Sequence, residues 1–258
     1  MNLAFEQYGS GHPIVLLHAF PLSDKMWSGN IKSLIELGFR LILPDLRGFG
    51  QSADFSSINS MKMMARDVNE LLVFLQIEKA FIGGLSMGGY VTFDLYRLFP
   101  QKFAGLILCD TNAAADTVEK QESRYELIKK IEFHGIQALI ENMLLNVIGG
   151  FTKTSNPELV SKIEKMFLQT EPKAAIAALR GMAERVDNTE ILVKIDIPTI
   201  IIFGEQDKIT NLQTAKLLHK QIKNSQFHTI KNAGHYSNLE QPEQFNLVLR
   251  NFIKEVGF

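Results

Sequence analysis

The sequence predicts a doubly wound α/β fold: a mostly parallel sheet of about seven strands with one all-helical lid inserted between strands. Three observations carry this. Runs such as PIVLLHAF, LILP, GLILCD and PTIIIFG are apolar at consecutive positions rather than alternate ones, as in strands covered by helices on both faces. Those runs alternate with longer stretches of helical period. One interval, 114–187, contains helical pattern only.

In chain order, strands are expected at 2–8, 13–18, 40–44, 79–85, 104–110, 198–204 and 225–231, each flanked by Gly, Pro, Asn or Asp. Helices are expected at 24–36, 61–77, 87–99, 211–222 and 239–255. Within 114–187, GIQALIENMLLNVI and ELVSKIEKMFLQT place apolar residues at the 3, 4, 7 spacing of amphipathic helices. Gly149-Gly150, Pro157 and Pro172 punctuate this stretch, and strand pattern resumes at Pro198. The reading is therefore a core of 1–113 and 188–258, with 114–187 as a helical cap.

The totals exclude several classes. At 258 residues, 46% hydrophobic and 21% charged, the chain has the composition of an ordinary globular protein. A formal net charge of −1 supplies no field for collecting nucleic acid or an anionic membrane. The opening MNLAFEQYGSG lacks the basic and apolar regions of a secretory signal, and no run reaches the roughly 18 apolar residues of a membrane span. The single Cys109 precludes an internal disulfide and any multi-cysteine metal site. A cytoplasmic protein is expected.

Chemistry concentrates at the ends of the expected strands. Gly84-Leu85-Ser86-Met87-Gly88 fits G-x-S-x-G and lies between a strand, KAFIGG, and a helix, MGGYVTFDLYRLF. That context puts a serine on a sharp corner at the carboxyl edge of the sheet, where a Cβ at Gly84 or Gly88 would collide across the turn. A serine hydroxyl needs a base, and the base needs an orienting carboxylate. His235 follows the strand QFHTIK, and Asp207 follows the strand TIIIF, so both project from the same edge as Ser86, in the order Ser, Asp, His. Asp110, at the end of GLILCD, is a competing carboxylate; the acidic, glycine-started GEQDKIT loop favours Asp207.

Stabilising a developing oxyanion takes two preset N–H donors. The Met87 amide, directly after the serine at a helix N-terminus, is one candidate. The Phe20 amide, in the loop His18-Ala19-Phe20-Pro21, is the other. His18 is read as a brace for that loop, and Asp45 with Arg47 as a pair tying a loop beneath the site. His12, His134, His219 and His228 are read as structural or solvated.

With these parts in place, the sequence resembles the α/β-hydrolase superfamily over essentially its whole length. HAFPLSDKMW resembles the family's His-Gly-x-Pro loop, and PDLRGFGQS, GGLSMGG, GEQDKIT and AGHYSNLEQPEQFN accompany it. It is most similar to the small bacterial carboxylesterases, pimeloyl-carrier methyl esterases, enol-lactonases and cofactor-free haloperoxidases or perhydrolases. The resemblance implies an α/β-hydrolase fold and hydrolysis of a small-molecule ester through an acyl-enzyme, with Ser86, Asp207 and His235 as the triad and no metal or organic cofactor. An enol-lactonase or carrier-protein methyl esterase would use the same triad; a low-turnover small-molecule sensor is the alternative from another class. Two departures stand out: Ala19 replaces the glycine of many relatives, and the short N-terminus leaves about seven strands. GLSMGG and LCDTNAAAD resemble the enol-lactonases, whereas HAFPLS resembles general esterases. The Leu, Ile, Met and Phe content of 114–187 implies an apolar pocket. Its 10 Lys and Arg against 11 Asp and Glu give no support for docking an acidic carrier protein.

Overall fold

The computed structural model describes residues 3–257. Seven strands form one sheet: β1 (Phe5–Tyr8), β2 (His12–Leu17), β3 (Phe39–Pro44), β4 (Ala80–Leu85), β5 (Phe103–Cys109), β6 (Thr199–Gly204) and β7 (Ser225–Ile230). Their spatial order is β1-β3-β2-β4-β5-β6-β7. Only β1 runs antiparallel, pairing Phe5 with Pro44 and Tyr8 with Leu41 of β3; every other pair is parallel. The expected first strand, 2–8, is shorter in fact, and residue 2 lies outside the described residues.

The central strands β4, β5 and β6 are buried almost throughout, which explains their unbroken apolar character: helices cover both faces. Helices α1 (Ile31–Ile35), α2 (Met61–Phe74) and α3 (Met87–Leu98) lie in the first half of the chain. On α2 the buried residues Met61, Met64, Ala65, Val68, Leu71 and Leu72 form one stripe, and the Ser60 hydroxyl caps the helix by accepting from the Met63 amide. Between β5 and β6 come five consecutive helices: α4 (Val118–His134), α5 (Gln137–Val147), α6 (Gly150–Ser155), α7 (Pro157–Leu168) and α8 (Pro172–Ala183). Pro157 and Pro172 occupy first-turn positions of α7 and α8, where a missing N–H costs nothing. The chain closes with α9 (Leu212–Gln221), α10 (Ser237–Glu240) and α11 (Pro242–Val256).

Two expected helices are broken. The 24–36 segment is a 3₁₀ turn over Asp24–Trp27 and then α1, with Ser28–Asn30 between them. The 239–255 segment splits into α10 and α11 at Pro242, because proline cannot donate to the preceding turn and crowds its carbonyl. Among the described residues, no helix is long and apolar enough to cross a membrane.

Because β2, β4, β6 and β7 are mutually parallel in direction, the segments that follow them emerge at one carboxyl edge of the sheet, where open α/β sheets place their ligands. Those segments carry His18–Pro21, Ser86, Asp207 and His235.

Candidate active site

Ser86 sits between β4 and α3 with φ 55 and ψ −110, a region L-residues rarely occupy and one that costs about 1–3 kcal/mol. The corner is pinned from both sides: the Ser86 amide donates to the Cys109 carbonyl at 3.0 Å, and the Thr111 hydroxyl donates to the Ser86 carbonyl at 2.9 Å. A Cβ at Gly84 would lie 2.5 Å from the Gly88 carbonyl carbon, across the turn. A Cβ at Gly88 would lie 2.3 Å from the Leu17 carbonyl oxygen, so the collision expected there falls on the end of β2 instead of across the turn.

The structure brings Ser86, His235 and Asp207 into one line. The His235 Nε2 is 2.8 Å from the Ser86 Oγ, and its Nδ1 is 2.9 Å from the Asp207 Oδ2. All three are buried, Ser86 retaining 9% exposure. Burial works to raise the Asp207 carboxyl, but the adjacent His235 and hydrogen bonds from His235, Thr210 and the Ile209 amide outweigh it, holding it below the ordinary carboxylate range. An ionised Asp207 can only accept, so Nδ1 carries the proton and Nε2 is free to accept from the Ser86 hydroxyl. The other carboxylate oxygen, Oδ1, accepts from the Ile209 amide at 2.7 Å and the Thr210 amide at 3.1 Å. Thr210 Oγ1 donates to Oδ2 at 2.6 Å.

Asp110 is close by yet turned elsewhere. Its carboxylate accepts from the Gly204 amide at 2.7 Å and from the Ser237 hydroxyl. Burial, then the neighbouring Asp207 charge, push its carboxyl well above the ordinary range. Asp110, Asp207 and His235 are the described residues whose donor atoms lie within 4.8 Å of one another, the spacing a metal ion would need. Their atoms are already engaged in the hydrogen bonds just described.

The loop after β2 is held peptide by peptide. The Ala19 carbonyl accepts from the Leu22 amide at 2.8 Å and from the His18 Nδ1 at 3.0 Å. That fixes the plane of the Ala19–Phe20 peptide, whose N–H points opposite its carbonyl. The His18 Nε2 accepts from the Leu46 amide at 2.8 Å, so His18 is neutral with its proton on Nδ1; burial lowers its pKa to about 4. The Ala19 amide is taken up by the Met26 sulfur at 3.1 Å. Among the described residues, the Phe20 and Met87 amides have no protein acceptor. The Tyr236 hydroxyl donates to the Phe20 carbonyl at 2.9 Å, and the Thr170 hydroxyl donates to the Pro21 carbonyl at 2.7 Å. His18 thus braces the loop, as read from the sequence.

Asp45 and Arg47 do not pair with each other. Asp45 accepts from the Asp24 and Gln51 amides at 2.9 and 2.7 Å, whereas Arg47 makes a two-pronged contact with Asp67 on α2 at 2.6 and 2.8 Å. Each ties the loop, by a separate anchor. His12 opens β2, His134 ends α4, His219 lies on α9 and His228 within β7, all outside the cluster. Sequence reasoning passed over Thr210, Tyr236 and Glu240. Thr210 sits inside the GEQDKIT motif, and the other two beside His235, so proximity to the motifs was the one signal available.

The family described as the alpha/beta hydrolase fold matches residues 12–242. The chain belongs to this family. This hydrolase is 30% identical over 259 residues to the AB hydrolase superfamily protein YisY of Bacillus subtilis, covering 98% of this chain and 95% of that one. It is 28% identical to 3-oxoadipate enol-lactonase 1 of Acinetobacter baylyi, over 94% and 89% of the two chains. Among solved structures, a thermophilic esterase from Thermogutta terrifontis, with malate bound, superposes with a TM-score of 0.96 at 38% identity, over 99% of this chain and 94% of the other.

The helical insertion of this hydrolase reaches the cluster directly. The His235 amide donates to the Val147 carbonyl at 2.9 Å, and the Phe151 amide donates to the Gln206 side chain at 3.0 Å. The two ends of the insertion are joined by Asp116, which pairs with Arg124 and, at 2.6 Å, with Arg185. The Arg185 guanidinium lies 4.2 Å from the centre of the Tyr90 ring on α3, anchoring those ends to the helix that begins just after Ser86.

Proposed function

We propose that this hydrolase cleaves carboxylic esters of small, largely apolar substrates through an acyl-enzyme, with Ser86 as nucleophile, His235 as general base and acid, and Asp207 as the orienting carboxylate. The observation that carries the reading is the continuous relay Asp207–His235–Ser86 at 2.9 and 2.8 Å, on a strained corner. The Ser86 Oγ attacks the ester carbonyl carbon as His235 Nε2 takes its proton. The tetrahedral intermediate collapses, the C–O bond to the alcohol breaks, and the imidazolium returns its proton to the departing alkoxide. Water then attacks the acyl carbon, again giving its proton to Nε2, and the carboxylic acid leaves as Ser86 is reprotonated.

The Phe20 and Met87 amides hold the oxyanion; losing one such donor costs about 3–4 kcal/mol of transition-state stabilisation. The first is oriented by the clamped Ala19 carbonyl and the second lies at the start of α3, where the helix dipole favours negative charge. The helical insertion, residues 114–187, acts as a lid over the acyl or alcohol pocket. The scheme calls for no cofactor.

The enol-lactonase relative supports a second reading in which the ester is a lactone, opened on the same residues. A series of p-nitrophenyl esters of increasing acyl length, run beside simple lactones, tests both. Turnover of short open esters, abolished in Ser86→Ala with folding intact, is the expected result. Folded protein that turns over no ester sinks the esterase reading, and activity confined to lactones selects the second. Absence of all turnover points to a sensor.

A further inference from the structure

Glu240 takes no part in the relay, yet it is buried, at 6% exposure, at the end of α10. Its two carboxylate oxygens serve two different segments. Oε1 accepts from the Gly234 amide at 2.9 Å, directly before His235, and Oε2 accepts from the Gly149 amide at 2.9 Å, in the turn between α5 and α6 of the insertion. The two glycines are packed face to face. A Cβ on Gly149 would lie 2.8 Å from the Gly234 nitrogen, and one on Gly234 would lie 2.3 Å from the Gly149 nitrogen. Beside them the His235 amide donates to the Val147 carbonyl at 2.9 Å. The backbone on both sides of this contact is therefore held across the loop–insertion boundary, with the carboxylate bridging it.

We propose that Glu240 is a positioning residue for His235: by bridging the Gly149 and Gly234 amides, it locks the insertion's turn to the histidine loop and keeps the imidazole in register with Ser86 and Asp207. The proposal rests on the Ser86–His235–Asp207 reading. A carboxylate suits the task because two buried N–H donors converge on it and it presents only acceptors. A glutamine has one acceptor and one donor, so one of the two amides would face an NH₂ group.

The test compares wild type, Glu240→Gln and Glu240→Ala by ester turnover and by proton NMR. The NMR readout is the far-downfield signal of the imidazole Nδ1–H bound to Asp207, assigned by its loss in Asp207→Asn. In Glu240→Gln, kcat is expected to fall on the order of tenfold to a hundredfold, the scale of a misplaced catalytic group. KM should stay within about twofold, the downfield signal should broaden or vanish, and the folded fraction at the assay temperature should be unchanged. Glu240→Ala should show a larger loss in the same direction. A glutamine variant with wild-type kcat and an intact signal overturns the proposal, as does a fall in kcat that merely tracks loss of folded protein or leaves the signal unchanged. Wild-type protein that shows the signal but turns over no ester refutes the ester reading alone, and Glu240 is then decided by the signal in its variants.

Discussion

Replacing Asp207 by asparagine tests the relay at the point where the structure allows the sharpest calculation. The Asp207 Oδ1 accepts two backbone amides, Ile209 at 2.7 Å and Thr210 at 3.1 Å, so the asparagine must keep its oxygen there. Its NH₂ group then occupies the Oδ2 position and faces the His235 Nδ1 at 2.9 Å and the Thr210 hydroxyl at 2.6 Å. The hydroxyl can rotate to accept. The imidazole must move its proton from Nδ1 to Nε2, and an Nε2–H cannot take the proton of Ser86. The ground-state geometry survives while the base is lost, a change worth about 10⁴ in kcat, or about 5.5 kcal/mol at 1.36 kcal/mol per decade. Initial rates with a p-nitrophenyl ester read this directly. Asp110→Asn is the paired control: burial and the Asp207 charge already raise that carboxyl, so an uncharged amide of the same shape should cost less than about tenfold. Activity of Asp207→Asn within tenfold of wild type, or an Asp110→Asn loss as large as that expected for Asp207→Asn, would refute the tautomer argument.

Three further outcomes concern the scaffold. The His18 pKa is lowered from 6.5 to about 4, so between those values the unfolded chain binds a proton that the native state does not, and stability falls as pH drops. At 1.36 kcal/mol per unit, the loss reaches about 3 kcal/mol; urea unfolding of wild type should show it, and His18→Gln should show a correspondingly shallower acid decline. Gly88→Ala sets a Cβ 2.3 Å from the Leu17 carbonyl oxygen and should cost about 1–3 kcal/mol or more in the same assay, a neutral result contradicting the close approach of α3 to β2. Ser86→Gly should be more stable than Ser86→Ala by about 1 kcal/mol, because both lack the hydroxyl and only glycine relieves φ 55; equal stabilities would mean that the corner is unstrained.

What could be read from the sequence followed from how local each cause is. The strands β4, β5 and β6 declare themselves because burial on both faces demands an apolar residue at every position. Ser86 and Asp207 could be placed on one edge because each closely follows such a strand, and His235 because it follows β7, a half-buried strand of mixed sequence. The choice between Asp207 and Asp110 is less local: both end strands at the same edge, and only the packing of Ser237 and Gly204 against Asp110 turns it from His235. Arg47 reaches Asp67, twenty residues away, instead of its neighbour Asp45, and no motif encodes that reach. Glu240 left no signal beyond its place in AGHYSNLEQPEQFN, because its partners are backbone amides, which any residue except proline supplies. The break at Pro242 had a visible cause and was smoothed over by the apolar periodicity on either side.

The most direct measurement of the central claim is an acid quench of the hydrolase during steady-state turnover of a slow ester, followed by intact-mass and peptide analysis. The proposed mechanism predicts one added acyl group, located on the peptide that contains Ser86, and accumulating with the burst of released alcohol. Turnover that continues with no acyl adduct, or an adduct on another residue that persists in Ser86→Ala, would contradict it.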